Sequence, residues 1–166
     1  MELIDGVFYD MAAPTPMHQR IAARFFNIVQ NYIDAHHGSC IPFCAPVDVQ
    51  LDCDDMTMVQ PDFLIVCRPE IITKARIVGA PDFVMEVLSP STKHKDMFRK
   101  AEKYANAGVR EYWMIDPEKQ QVLIHTFSDG IETALYGFDA EIPVAIYDGD
   151  LVIDMKRIRD EVAFLL

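Results

Sequence analysis

No run in this 166-residue chain approaches the roughly 18 consecutive apolar residues that a membrane-spanning helix requires. The opening MELIDGVFYD has three acids and no base, so it lacks the basic start of a secretory leader. No membrane role is expected, and the expected location is cytoplasmic. Bases are also scarce: 15 Lys and Arg against 26 Asp and Glu leave a net charge of −11 with His neutral. That balance counts against a protein that coats nucleic acid, because such affinity comes mainly from cations meeting phosphates. The four cysteines, Cys40, Cys44, Cys53 and Cys67, follow no regular spacing, and reduced thiols are expected rather than a disulfide framework. A zinc site in HHGSCIPFC, from His36, His37, Cys40 and Cys44, lacks the usual ligand spacings; small buried hydrophobes explain its cysteines better. Ser89 has no Gly-x-Ser-x-Gly elbow, which argues against a serine hydrolase. No repeat sets the architecture, although PDF occurs at 61 and again at 81.

The chain does contain a full-sized apolar complement, 51% of its residues, enough for a single domain over 1–166. One local basic stretch survives: Lys93 to Lys103, KHKDMFRKAEK, has five bases against two acids. ELIDGVFY reads as a hairpin around Asp5-Gly6. From about His18 to His36, Ile21, Phe25, Ile28, Val29, Tyr32 and Ile33 recur at helical spacing, and Gly38 offers a stop. Three strands are expected next, in CIPFCAPVDVQLD (bent at its prolines), VQPDFLIVC and PDFVMEVLS. A second helix follows, with Ser and Thr residues before it as caps, Met97, Ala101 and Tyr104 facing inward, and Gly108 ending it. EYWMID is a further strand. The core order is αβββαβ, a mixed α/β sheet flanked by helices, with additional β-hairpins and a short amphipathic end downstream.

Within PDFVMEVLS, Glu86 sits in a run of Phe, Val, Met, Val and Leu. An unpaired buried charge costs several kcal/mol, comparable with the whole stability of a small domain. A partner, a raised pKa or a bound cation must compensate. Metal-assisted phosphodiester cleavage needs acidic oxygens converging on a divalent ion. Asp82 shares the strand but lies about 13 Å from Glu86 along it. Asp62, on another strand, is the better partner, since neighbouring strands run only about 5 Å apart. Alone, Asp62 would read as an acid capping a turn. A cation is also wanted beside the carboxylates, and Leu88, two residues beyond Glu86, supplies none. The following helix puts Asp96, Lys100 and Tyr104 on one face, though on spacing alone an ordinary surface Asp96–Lys100 pair accounts for the pattern.

ELIDG, PTPMHQRI, APVDVQL, VQPDFLIV, APDFVMEVLSPST, the Asp96-x₃-Lys100-x₃-Tyr104 spacing and GVREYWMIDP, in that order, resemble the Uma-type endonuclease family, related to the PD-(D/E)xK restriction-endonuclease-like superfamily. The resemblance covers about residues 1–117. It implies a restriction-endonuclease-like fold and a Mg²⁺ site at Asp62 and Glu86, with the lysine moved from the strand position, here Leu88, to Lys100 on the helix. Lys103 rivals Lys100. His18 and Glu2 also fall on recurring family positions: His18 as a group that orients water or phosphate or one that completes structure, Glu2 as an outer carboxylate or the opening of the hairpin. Asp96 is read as orienting Lys100, and Tyr112 and Trp113 as core or interface aromatics. The expected function is a Mg²⁺-dependent nuclease acting on phosphodiester bonds in DNA, with Mn²⁺ as a substitute ion. Asp62, Glu86 and the Val87 carbonyl hold the ion, Lys100 stabilises charge or assists the water, and a homodimer suits duplex cleavage. The alternative is a non-catalytic nucleic-acid-binding or assembly protein that keeps the fold.

Overall fold

A computed structural model of the chain describes residues 1–11, 13–89 and 95–166, with the backbone alone of 95 and 96. In chain order its elements are β1 (Glu2–Ile4), β2 (Val7–Tyr9), α1 (Pro16–Ala35), β3 (Ile41–Cys44), β4 (Val49–Gln50), β5 (Met58–Val59), β6 (Phe63–Val66), β7 (Ile77–Val78), β8 (Phe83–Val87), α2 (Lys95–Ala107), β9 (Glu111–Asp116), β10 (Gln121–Thr126), β11 (Glu132–Gly137), β12 (Glu141–Pro143), β13 (Val152–Asp154) and α3 (Met155–Val162). The β1–β2 turn has positive φ at both Asp5 and Gly6, as a tight two-residue hairpin demands. Thr15 caps α1 in a reciprocal capping box with His18, and Pro16 occupies the first turn. At the other end His37, not Gly38, takes the left-handed conformation, and the Gly38 N–H closes the cap on the Ile33 carbonyl at 2.9 Å.

The central sheet has the order β11-β10-β9-β8-β6-β3. β8 and β9 pair in parallel through the α2 crossover, whereas β6 runs antiparallel to β8 and to β3. The αβββαβ order is therefore α1, β3, β6, β8, α2, β9, in a mixed sheet. Alternation along these strands divides the core. Phe63, Ile65, Phe83, Met85, Trp113 and Ile115 pack with α1 and α3, while Leu64, Val66, Val84, Tyr112 and Met114 pack with α2. Burial on both faces explains the near-continuous apolar runs.

The second face is closed by a smaller sheet, β2-β1-β5-β4-β7, most of which the sequence did not announce. The stretch expected as one bent strand is two strands in different sheets: β3 pairs with β6, and β4 pairs with β5 and β7. VQPDFLIVC is likewise broken by Gln60, Pro61 and Asp62 into the end of β5 and β6. The expectation of four reduced thiols is corrected as well. Ile41 lies opposite Val66, so Cys40 and Cys67 become cross-strand neighbours, and they form a disulfide; Cys44 and Cys53 are free. The expected caps of α2 at Ser91 and Thr92 lie outside the described residues. Among the described residues no helix is long and apolar enough to cross a membrane.

Phe25, 1% exposed, packs edge-on against Trp113 with ring centroids 5.7 Å apart and so fastens α1 to the sheet. Phe25→Ala is expected to lower the unfolding free energy by about 3–5 kcal/mol in urea denaturation. A loss below about 1 kcal/mol would contradict this packing.

Candidate active site

The antiparallel register of β6 and β8 pairs Phe63 with Met85 and Leu64 with Val84, so Asp62 comes to stand across from Glu86. Both belong to the alternate set of positions that faces α2. The two PDF tripeptides have a shared structural purpose. Asp62 Oδ2 accepts the Val87 N–H at 2.7 Å, and Asp82 Oδ2 accepts the Cys67 N–H at 2.7 Å. Each aspartate precedes its strand and ties off the end of the other. Asp82 stops there: it is 7% exposed, its backbone carbonyl accepts the Arg110 and Glu111 N–H groups, and Arg110 pairs with its side chain at 3.5 Å. Among the described residues, the Asp62 end brings Glu2, Glu86 and Lys100 together.

Glu86 is answered by α2. Lys100 Nζ lies 3.1 Å from both Glu86 carboxylate oxygens, and the Tyr104 hydroxyl, one turn further on, donates to Glu86 Oε1 at 2.8 Å. The same ammonium reaches Glu2 on β1, at 3.0 Å from Oε1 and 2.8 Å from Oε2, and Glu2 also accepts the Gln60 N–H at 3.0 Å. One cation thus bridges acids from two sheets. Burial pushes the carboxyls of Asp62 and Glu86 up. The Val87 N–H, His18 and Lys100 restrain Asp62; Lys100 and Tyr104 restrain Glu86. Burial alone would push Lys100 down, but Glu86 and Glu2 together outweigh it and hold the ammonium well above the ordinary lysine value.

A cavity of about 590 Å³ opens beside these groups, and Glu2, His18, Asp62, Glu86, Val87 and Lys100 all line it. The ring of His18 is held at Nδ1, 2.7 Å from Thr15 Oγ1, by the capping box, so one contact both starts α1 and fixes the imidazole in the cavity wall. Leu88 contributes apolar wall. Lys103 is absent from the lining; it pairs with Asp5 at 2.5 Å and Asp52 at 2.8 Å on the smaller sheet. Of the two rival lysines, only Lys100 reaches the carboxylates. The side chain of Asp96 lies outside the described residues. Trp113 is core on the opposite face, its indole N–H donating to Glu111 Oε1 at 2.7 Å. Tyr112 is core too, but it also touches the cavity, a placement that the alternation of EYWMID permits and that its apolar neighbours obscure.

Among the described residues that line the cavity are four acids, Glu2, Asp10, Asp62 and Glu86, and one lysine, Lys100. Among the described residues no three His, Cys, Asp or Glu side chains form a ready metal cage, and Cys40, weighed above with His36, His37 and Cys44 as a zinc ligand, is joined to Cys67 in a disulfide. The donors on offer are instead two facing carboxylates with excess negative charge and open space beside them. That set suits a hard divalent ion that keeps several waters.

A family profile described as "Putative restriction endonuclease", Uma2, matches residues 1–155. The chain belongs to the Uma2 family. An uncharacterized protein of Synechocystis sp. is 28% identical over 131 residues, covering 78% of this chain and 67% of that protein. A crystal structure described as "a putative nuclease belonging to DUF820", from Anabaena variabilis, superposes with a TM-score of 0.79 at 20% identity, over 96% of this chain and 89% of that one. The neighbour shares the restriction-endonuclease-like fold, and membership of Uma2 supports a nuclease function with nucleic acid as the substrate class.

Lys100→Met leaves the acids of this Uma2 cavity without their cation. A loss of about 3–5 kcal/mol in unfolding free energy is expected at pH 8. Because the folded-state pKa values of Asp62 and Glu86 are raised, and rise further without Lys100, the penalty is full above those values and is relieved as pH falls toward the ordinary carboxylate range. Urea titrations should therefore show a smaller deficit at pH 5 than at pH 8. An equal deficit at both would contradict the charge account.

Proposed function

We propose that this protein is a Mg²⁺-dependent nuclease that hydrolyses phosphodiester bonds in DNA. The observation that carries the reading is Asp62 facing Glu86 across paired strands, with Lys100 beside them and a cavity in front. Asp62, Glu86 and the Val87 carbonyl are the groups that would hold the ion, with Mn²⁺ as a substitute. A divalent ion there supplies Lewis-acid activation of the phosphate and of a water. Lys100 enters the site as an ammonium, so it acts as a positive charge toward a phosphate oxygen rather than as a base. Glu2 steadies it from the far side, and the Tyr104 hydroxyl donates to Glu86 in the arrangement seen here. His18, fixed by Thr15, faces the same space and orients water or phosphate. Deprotonation of Asp62 and Glu86 is required for ion binding, so ion affinity should rise as pH passes through their raised pKa values.

Two copies acting on opposite strands of a duplex suit this reading. Ile131 and Leu135 on and beside β11, 62% and 61% exposed, offer apolar surface for pairing. Sedimentation showing only monomer would remove the pairing and leave the chemistry untouched.

A second reading, a non-catalytic binding or assembly protein, is favoured by one feature: Lys100 already pairs with both Glu2 and Glu86. Incubation of purified protein with plasmid and linear DNA, with and without Mg²⁺ or Mn²⁺, separates the two. Ion-dependent cleavage is expected, falling at least about 100-fold in Asp62→Ala and in Glu86→Ala. Full activity in both variants, or no calorimetric response to millimolar Mn²⁺, would overturn the catalytic assignment.

A further inference from the structure

Two tyrosines flank Glu86, and only one of them is used. Tyr104 on α2 and Tyr112 on β9 stack with ring centroids 4.8 Å apart, at an angle of 61°. Both are buried, at 1% and 0% exposure. Tyr104 donates its proton to Glu86. Among the described residues the Tyr112 hydroxyl has no hydrogen-bond partner, although the residue lines the cavity that holds Glu2, Asp62 and Glu86. The parallel register places Tyr112 beside Val84 and Met114 beside Glu86, so Tyr112 stands one alternate position from Glu86 on the same sheet face.

A buried hydroxyl without an acceptor costs about 1–3 kcal/mol, and phenylalanine would fill the same volume without that cost. The group therefore has an explanation to find, and the acids that act on it electrostatically, Glu86 first and then Glu2 and Asp62, are the candidate acceptors. Glu86 is the one held by side chains, Lys100 and Tyr104, whereas Glu2 and Asp62 each also accept a backbone N–H.

We infer that Glu86 is a two-position carboxylate. In the first position, seen here, it rests on Lys100 and Tyr104. In the second it accepts a hydrogen bond from the Tyr112 hydroxyl and turns an oxygen toward Asp62, while Lys100 keeps Glu2, gives up Glu86 and so opens its ammonium to the cavity. Tyr112 is then a positioning residue for the ion-binding arrangement, and Tyr104 holds the ion-free one. This inference rests on the metal-dependent reading given above. It accounts for why a satisfied and an unsatisfied phenol stack against each other beside a single acid. It also accounts for how a lysine already paired twice could be freed for a phosphate without leaving Glu86 bare.

The two positions give the two phenols opposite effects, which a merely structural role for either would not. The test is calorimetric titration of the full chain with Mn²⁺, together with melting of the ion-free protein, for Tyr112→Phe and Tyr104→Phe. Tyr112→Phe should weaken Mn²⁺ affinity about 10- to 100-fold, the range for groups that orient metal-ligating side chains, while leaving the ion-free melting temperature unchanged or higher. Tyr104→Phe should lower the ion-free melting temperature and leave Mn²⁺ affinity unchanged or tighter. Mn²⁺ affinity of Tyr112→Phe within twofold of the parent would overturn the inference alone, as would equal losses of affinity in both variants or a clearly lower ion-free melting temperature in Tyr112→Phe. Failure of the parent to bind Mn²⁺ would overturn it together with the metal-dependent reading.

Discussion

A single ammonium group, that of Lys100, stands between Glu86 of the central sheet and Glu2 of the smaller one, and the surrounding architecture makes sense as the means of putting it there. The side chains of Lys100, Glu86 and Glu2 are 13%, 14% and 6% exposed, so screening by water is weak and each group depends on the others. Helix α2 must cross over the sheet to join two parallel strands, which brings its fourth-residue face, Lys100 and Tyr104, down on the end of β8. The β1–β2 hairpin must fold back onto β5 to deliver Glu2. The ion pairs thus tie the first strand of the chain to its middle.

The second constraint is the strand pair β6–β8. Each strand is introduced by an aspartate that ties off its neighbour, a local near-symmetry that fastens both ends of the pair. At one end the aspartate is spent on structure, with Arg110 alongside. At the other, Asp62 gives one oxygen to the Val87 N–H and stands opposite Glu86 at the cavity. A capping role and a functional one coexist in this residue because a carboxylate has two oxygens. The same economy recurs at His18, whose ring completes a helix cap and walls the site.

How much of this was legible in the sequence follows from the length scale of each signal. α1 and α2 show several turns of apolar periodicity, and β8 and β9 are long enough for their burial to be read directly. Glu86 stands out because it breaks such a run, and Asp62 follows from it by strand spacing. The smaller sheet escaped because β4, β5 and β7 are two residues each and carry no period. The Cys40–Cys67 disulfide escaped because it depends on the register of β3 with β6, which 27 residues of separation conceal. The choice of Lys100 over Lys103 could not be made from a helix alone: they lie within one turn of each other, and only the placement of Asp5 and Asp52 draws Lys103 away. Tyr112 looked like core because it is core; the isolation of its hydroxyl exists only in three dimensions.

In the proposed active state Asp62 and Glu86 share one divalent ion, and Lys100 gives up Glu86 to let it in. A crystal structure of the protein grown or soaked with Mn²⁺ tests this most directly, since anomalous scattering locates the ion independently of the protein atoms. A manganese peak contacted by carboxylate oxygens of both Asp62 and Glu86 is expected, with Lys100 Nζ no longer between Glu86 and Glu2. Lys100 still bridging the two glutamates, with manganese absent or bound elsewhere, would contradict it.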